Sequence, residues 1–279
     1  MSDPASTPGA SVCYRHPDRE TWVLCQRCGR PICGECQTTA PVGVHCPECV
    51  REARQSAPRT KSRLLTTLRA PGDRPIVTYA LVLASVAVFA VMFLTGGANG
   101  LVGRYLIYFP PLTLVEPWRV FTSMFAHANF FHILFNMYAL YLFGTQLEYL
   151  LGRGRFLALY FLSGIGGAAA VMVLSPATPV LGASGAIFGL FSAYFVISRR
   201  LGSNATQLLI VIGLNFALGF LLPGISWQAH LGGAVAGALV ALVLVSTRRP
   251  SQQPAQLIGL IGVGIVLVAV LLSRYFVSY

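Results

Sequence analysis

Residues 181–190 read LGASGAIFGL and place a single serine, Ser184, among small residues at the start of an apolar run. Gly182 and Gly185 lie close to it on either side. Small residues let membrane helices approach one another closely, and they also leave room around a hydroxyl that acts as a nucleophile. The stretch therefore fits a packing motif or a chemical site, and the rest of the chain has to distinguish the two.

The composition predicts a membrane protein. Of the 279 residues, 55% are hydrophobic and only 10% are charged, whereas soluble domains carry about 25% charged residues. Seven apolar runs approach or reach the length needed to cross a bilayer, at about 75–95, 130–151, 155–175, 184–198, 206–222, 228–247 and 256–273. The predicted fold class is therefore an all-α polytopic membrane protein with about seven transmembrane helices.

The placement of basic residues predicts the orientation of these helices. The net charge of +11 could suggest nucleic acid, but the arginines cluster in residues 50–74 and in the turns at 153–155, 199–200 and 248–249. Basic residues mark cytoplasmic segments, and all four clusters agree on one topology. We expect no nucleic acid partner, a cytoplasmic N-terminus, an outside C-terminus and a location in the plasma (inner) membrane.

All seven cysteines lie between Cys13 and Cys49. Together with one histidine they form four pairs with two residues between the partners: Cys13 and His16, Cys25 and Cys28, Cys33 and Cys36, Cys46 and Cys49. Eight such ligands suffice for two tetrahedral zinc sites. A segment this short cannot bury much of a core, so the metal would supply the folding energy. The alternative, free cysteines in a disordered tail, is much weaker.

This pattern resembles a B-box-type zinc finger with interleaved ligands. The resemblance implies that the first and third pairs hold one structural zinc ion, and that the second and fourth pairs hold the other. Whether His45 replaces Cys46 as a ligand stays open. The predicted organisation is a flexible tail at 1–12, the double zinc module at 13–49, a basic cytoplasmic linker at 50–74 and a membrane domain at 75–275.

A second group of polar residues lies in the membrane domain. His132 and Asn136 are four residues apart and share one face of the second predicted helix. Ser184 and His230 lie near the starts of the fourth and sixth helices. These helices run in the same direction, so the four side chains reach similar depths, and intramembrane polar groups are usually functional. His127 precedes them, as a loop residue or a further member of the site.

These motifs resemble the rhomboid family of intramembrane serine proteases. The resemblance rests on Trp118-Arg119, His132-x3-Asn136, Gly182-x-Ser184-Gly185 and Ala229-His230-x2-Gly233-x3-Gly237. It covers about residues 75–275 and implies a six-helix core with a seventh, C-terminal transmembrane helix. The zinc module lies outside the family core.

The resemblance also implies roles for individual residues. Ser184 would be the nucleophile and His230 the general base, with His132, Asn136 and the Ser184 N–H stabilising the oxyanion. No further carboxylate is placed to complete a triad, since Glu116 lies in the first loop and Glu148 at the opposite end of the second helix. Catalysis would need no cofactor.

The remaining residues of the pattern are expected to be structural. Phe188 replaces a tyrosine that in many relatives stacks on the catalytic histidine. Trp118 and Arg119 would shape the first loop, and Glu148 would pair with Arg153 or Arg155. Close helix approach is expected at the glycines of both motifs, Gly182, Gly185, Gly233 and Gly237.

The function predicted from the sequence is cleavage of single-span membrane proteins near the outer face of the lipid bilayer. A non-catalytic rhomboid-like binder that escorts membrane proteins is the alternative, although such relatives usually lack the serine or the histidine. A transporter with a polar midplane site ranks last. A further hypothesis is that the zinc module tethers the enzyme to a cytoplasmic protein partner.

Overall fold

The structure is a computed structural model that describes residues 11–40, 43–56, 74–202, 206–221 and 224–277. The chain divides into two compact units, Met1–Arg69 and Ala70–Tyr279, which are described separately. Most of the predicted tail and residues 57–73 of the predicted linker lie outside the described residues.

The N-terminal unit consists of two small antiparallel sheets and one helix. Strands β1 (Ser11–Cys13) and β2 (His16–Thr21) form a hairpin that sets Cys13 opposite His16. Strands β3 (Thr38–Thr39) and β4 (Val44–His45) pair next, and helix α1 (Pro47–Ser56) follows. The unit thus reaches two residues into the predicted tail and extends to Ser56, beyond the predicted boundary at Cys49.

The second unit is helical. Its described helices are α2 (Ile76–Leu94), α3 (Leu101–Leu106), α4 (Arg119–Thr122), α5 (Phe130–Ala139), α6 (Thr145–Leu151), α7 (Arg153–Leu174), α8 (Ser184–Arg200), α9 (Thr206–Leu221), α10 (Trp227–Ser246) and α11 (Gln253–Val277). A π-helical turn, Leu140–Gly144, joins α5 to α6 in one continuous helix. Every predicted apolar run is helical, which confirms the predicted fold class.

Four helices in the described part of the chain are long and apolar enough to cross a membrane by themselves. They are Ile76–Leu94, Arg153–Leu174, Trp227–Ser246 and Pro250–Ser273. The other three predicted spans differ in regularity or length: the π turn interrupts the second, α8 has 17 residues and α9 has 16. Seven spans therefore remains a prediction, while the polytopic character is clear.

The core of this unit lies where α7, α8 and α10 meet. A Cβ atom added to Gly233 would lie 1.9 Å from the carbonyl oxygen of Gly185, and one added to Gly237 would lie 2.3 Å from that of Gly189. On the other side of α10, a Cβ on Gly232 would lie 2.2 Å from the Gly166 oxygen. The helices are therefore in backbone contact, which only glycine permits at these positions.

Glu148 does not pair with an arginine as the sequence suggested. Its carboxylate is buried and accepts hydrogen bonds from the backbone N–H of Val77 (3.0 Å) and from the N–H and hydroxyl of Thr78 (2.8 Å each). The first N–H groups of a helix lack partners within the helix and carry partial positive charge. These donors therefore satisfy the buried carboxylate, while Arg153 is exposed and Arg155 donates to Gln256.

The first loop, between α2 and α5, is organised around Arg119. This buried side chain donates to the carbonyl oxygens of Arg104 and Ile107 and pairs with Glu116. The Trp118 indole N–H donates to the Tyr105 carbonyl oxygen at 3.3 Å. Both side chains thus bond to the backbone of this loop.

Candidate active site

Ser184 is the first residue of α8, and the chain before it is held in a conformation that favours glycine. Gly182 has φ +122°, and its N–H donates to the Ser123 carbonyl oxygen at 2.8 Å. A Cβ atom on Gly182 would lie 2.6 Å from Nε2 of His132 and 3.8 Å from Oγ of Ser184. The missing side chain thus leaves a space that both polar groups border.

His230 lies in the first turn of α10, which begins after Ser226. The Ser226 hydroxyl caps this helix by accepting from the Ala229 N–H at 3.3 Å. Gly185 faces the Ala229 carbonyl oxygen, 3.2 Å from where its Cβ would lie. Ser184 precedes Gly185 and His230 follows Ala229, so this contact brings the backbone at the two polar residues close together.

The His230 ring is buried and stacked on Phe188. The ring centroids are 4.1 Å apart and the planes differ by 10°. Its Nδ1 atom has no hydrogen-bond partner, and no hydrogen bond joins His230 to Ser184 among the described residues. In unliganded enzymes such bonds are commonly long and tighten only with substrate. The stack holds the imidazole plane without using either ring nitrogen.

His132 and Asn136 lie on one face of α5. The Asn129 side chain caps this helix by accepting from the His132 N–H at 2.9 Å. Nδ1 of His132 accepts from the Ala128 N–H at 3.4 Å, so a neutral ring carries its proton on Nε2, the atom that faces Gly182. The Asn136 amide donates one hydrogen to the His132 carbonyl oxygen at 2.9 Å and keeps a second.

The backbone N–H of Ser184 completes this group of donors. It belongs to the first turn of α8, where N–H groups have no acceptor within the helix and the helix dipole favours negative charge. The site therefore combines the Ser184 hydroxyl and the Nε2–H of His132 at one space, with the Ser184 N–H at the start of the helix beside it. Such an arrangement can stabilise an oxyanion next to a nucleophile.

His127 is the residue that the sequence left undecided. Its ring is buried, Nδ1 donates to the Phe125 carbonyl oxygen at 3.1 Å, and Nε2 has no partner. The ring meets that of His132 edge to face, with centroids 5.1 Å apart. It also borders a cavity of about 520 Å³ lined by Met92 and Phe130. The structure thus places His127 beside the group rather than in open loop.

Two contributions were missed from the sequence. Asn129 and Ser226 cap the helices that carry His132 and His230. Both are favoured N-cap residues immediately before an apolar helix, so this signal was present in the sequence.

The N-terminal unit contains two clusters of potential metal ligands. Cys13, His16, Cys33 and Cys36 form one, and Cys25, Cys28, Cys46 and Cys49 form the other; within each, the ligand atoms lie within 4.8 Å of one another. The pairing is the interleaved one that the sequence suggested, and the second cluster contains Cys46 rather than His45. A hydrogen bond from the Arg30 backbone N–H, with one from its guanidinium, lowers the pKa of the Cys28 thiol. Each cluster could hold a metal ion.

Comparison with known proteins identifies the family. The Rhomboid domain profile matches residues 115–247. The putative rhomboid protease YdcA of Bacillus subtilis (strain 168) is 39% identical over 140 residues, which are 48% of this chain and 70% of YdcA. This chain belongs to the rhomboid family.

Other rhomboid relatives match over smaller shares of their length. Rhomboid protease GluP of Bacillus subtilis (strain 168) is 33% identical over 179 residues, 61% of this chain and 35% of GluP. RHOMBOID-like protein 1 of Arabidopsis thaliana is 36% identical over 138 residues, 47% of this chain and 35% of that protein. This chain thus spans about a third of the length of these two relatives. The matched Rhomboid domain contains Ser184 and His230, whereas the metal clusters and α11 lie outside it.

Proposed function

We propose that this rhomboid protein is an intramembrane serine endopeptidase that cleaves transmembrane proteins through a dyad of Ser184 and His230. The observation that carries the proposal is the close approach of Gly185 to the Ala229 carbonyl oxygen, because these two residues adjoin Ser184 and His230 in the chain. Two relatives support the same reaction class by their names, the rhomboid protease GluP and the putative rhomboid protease YdcA.

The proposed reaction proceeds in two stages. The Ser184 hydroxyl attacks the scissile carbonyl while the His230 imidazole accepts its proton, and the resulting oxyanion occupies the space beside Gly182. The imidazolium then protonates the leaving amine as the C–N bond breaks, leaving an acyl ester on Ser184. Water, deprotonated by His230, attacks that ester and releases the acid and the free serine.

The surroundings of His230 support a dyad rather than a triad. Within the described residues of the membrane unit, the two carboxylate side chains are engaged elsewhere, Glu116 with Arg119 and Glu148 with the start of α2. The Phe188 ring lies against the imidazole where an orienting group is needed. We therefore infer that stacking, and not a carboxylate, holds His230 in the productive orientation.

The roles of individual residues, the substrates and the orientation are proposed as the sequence predicts them. His132, Asn136 and the Ser184 N–H are proposed as oxyanion donors, and single-span membrane proteins as substrates cut near the outer face of the plasma (inner) membrane. The N-terminus would be cytoplasmic and the C-terminus outside. One zinc ion is proposed for each of the two ligand clusters, the one that contains Cys13 and the one that contains Cys25. Four ligands that are mostly thiolates favour tetrahedral zinc.

The test compares purified wild type with Ser184→Ala and His230→Ala in proteoliposomes. Cleavage of a fluorescent single-span substrate and labelling by a fluorophosphonate probe are measured for each form. Both activities are expected in wild type, while Ser184→Ala should lose both and His230→Ala should lose at least 10³-fold. Ser192→Ala, a second serine of α8, is the matched control and should be fully active.

Cleavage that persists in Ser184→Ala would overturn the proposal, as would a wild type that neither cuts nor labels. If that inactive wild type retains intact membrane proteins during purification, the non-catalytic escort function replaces the protease.

A further inference from the structure

Helix α11, which lies outside the matched Rhomboid domain, contacts the first loop near Ser184. The Tyr275 hydroxyl, in its last turn, lies 3.2 Å from the Pro110 carbonyl oxygen and 3.3 Å from that of Pro111. One turn earlier, Leu271 is buried in the cluster that surrounds Tyr108. The end of α11 thus holds the turn Pro110–Leu112 through the Tyr275 hydroxyl, and Leu271 shares a buried cluster with the preceding Tyr108.

The Pro110–Leu112 turn follows a residue that is hydrogen-bonded to the segment just before Ser184. Tyr108, two residues before Pro110, exchanges two backbone hydrogen bonds with Val180, one of 3.0 Å and one of 2.8 Å. Val180 precedes Gly182, whose N–H is in turn held by the Ser123 carbonyl oxygen. A shift of the turn would therefore be transmitted through a two-bond bridge to the backbone of the nucleophile.

The opposite end of α11 is fixed independently. The Gln256 side chain is buried, accepts from Arg155 Nε at 2.7 Å and donates to the carbonyl oxygen and hydroxyl of Thr247 at 3.0 Å each. Loss of the Tyr275 hydroxyl would thus leave the helix attached to α7 and α10. The contact with the first loop can be removed without removing the helix.

We propose that Tyr275 is a positioning residue: its hydroxyl holds the Pro110–Leu112 turn, and through the bridge between Tyr108 and Val180 it sets the position of Ser184. The catalytic half of this proposal rests on the proposed protease function. It also gives α11 a role in the reaction, although the residues assigned to the site all lie outside this helix.

The test is Tyr275→Phe, which removes the hydroxyl and keeps the ring. Its matched control is Ser273→Ala, because the Ser273 hydroxyl donates to the Val270 carbonyl oxygen of the same helix. In proteoliposomes, Tyr275→Phe is expected to lower kcat and the rate of fluorophosphonate labelling about three- to tenfold, since small displacements of reacting groups are costly. KM and the unfolding temperature should match those of Ser273→Ala.

Hydrogen–deuterium exchange provides a readout that does not depend on activity. Peptides covering residues 106–112 and 178–184 should exchange faster in Tyr275→Phe than in wild type, and peptides from α10 should be unchanged. Equal kcat and equal exchange in Tyr275→Phe and Ser273→Ala would overturn the proposal. If wild type is inactive, the protease function fails, and unchanged exchange in Tyr275→Phe then overturns the loop contact as well.

Discussion

The two units of this chain reach an ordered fold by opposite means. In the N-terminal unit, the buried cluster consists of Ile32 and six of the seven cysteines, so its interior is made of potential metal ligands. In the membrane unit, large apolar side chains such as Leu83 and Ile258 are exposed toward the surrounding medium, while glycines fill the helix contacts. Removing a ligand should destabilise the first fold, and adding a methyl group at a helix contact should destabilise the second.

This difference follows from the solvent around each unit. In water, about 40 residues bury too little apolar surface to fold without a further constraint. In lipid, apolar surface gains little from burial, so helices associate through close packing and hydrogen bonds. The contrast predicts different sensitivities for the two units, and five experiments test it.

The largest expected effect is removal of metal from the N-terminal unit. Structural zinc sites contribute about 10–16 kcal/mol in small peptides, so a chelator should abolish exchange protection throughout residues 11–56. The membrane unit should keep its unfolding temperature. Protection that survives complete loss of metal, measured by mass spectrometry, would contradict this view of the unit.

His45 and Cys46, the two candidate ligands immediately before α1, can be distinguished by substituting each one and counting the bound zinc ions. Cys46→Ser is expected to reduce the bound zinc from two ions to one, whereas His45→Ala should retain both, because Cys46 belongs to the cluster and His45 does not. Native mass spectrometry counts the ions directly. Loss of an ion in His45→Ala would reverse the assignment.

The next largest effect is expected at the glycine contacts. Gly233→Ala would place a Cβ 1.9 Å from the Gly185 carbonyl oxygen and should lower the free energy of unfolding by about 3 kcal/mol, the upper part of the usual range for overpacking. In Gly213→Ala, where nothing lies within 4 Å, stability should rise by up to about 1 kcal/mol. Similar unfolding temperatures for both variants would show that the backbone contact is unimportant.

A smaller effect is expected at Glu148, the buried carboxylate that caps α2. Glu148→Gln weakens three hydrogen bonds at the start of α2 and should cost about 2 kcal/mol, typical of bonds to a charged group. Arg153→Gln should change stability by less than about 0.5 kcal/mol. An equal loss of unfolding free energy in the two variants would support the pairing of Glu148 with an arginine that the sequence predicts.

The smallest effect concerns activity and therefore rests on the proposed function. Aromatic stacking contributes about 0.5–1.5 kcal/mol beyond burial, so Phe188→Leu should lower kcat about three- to tenfold without a comparable change in KM. Phe188→Tyr keeps the ring and should stay within about twofold of wild type. A leucine variant with full activity would mean that His230 is oriented by something other than the stack.

The features that could be predicted from the sequence are those that depend on the spacing of rare residues. Four cysteine and histidine pairs predicted both clusters and their interleaving by resemblance, and the family motifs predicted which residues lie at the starts of α5, α8 and α10. Glu148 was misread because its partners are backbone N–H groups seventy residues away, and nothing in a side-chain pattern marks them. The Tyr275 contact is equally hidden, since a proline carbonyl oxygen has no sequence signature.

The π turn Leu140–Gly144 separates the half of the second span that carries Asn136 from the half that carries Glu148. Each residue advances a helix by about 100°. The number of residues in this turn therefore fixes the rotation of one half of the helix relative to the other about the helix axis. Asn136 can therefore bond to the His132 carbonyl oxygen within α5 while Glu148 faces the start of α2. Deleting one residue from the turn would rotate one half against the other, so this segment should tolerate changes of residue far better than changes of length.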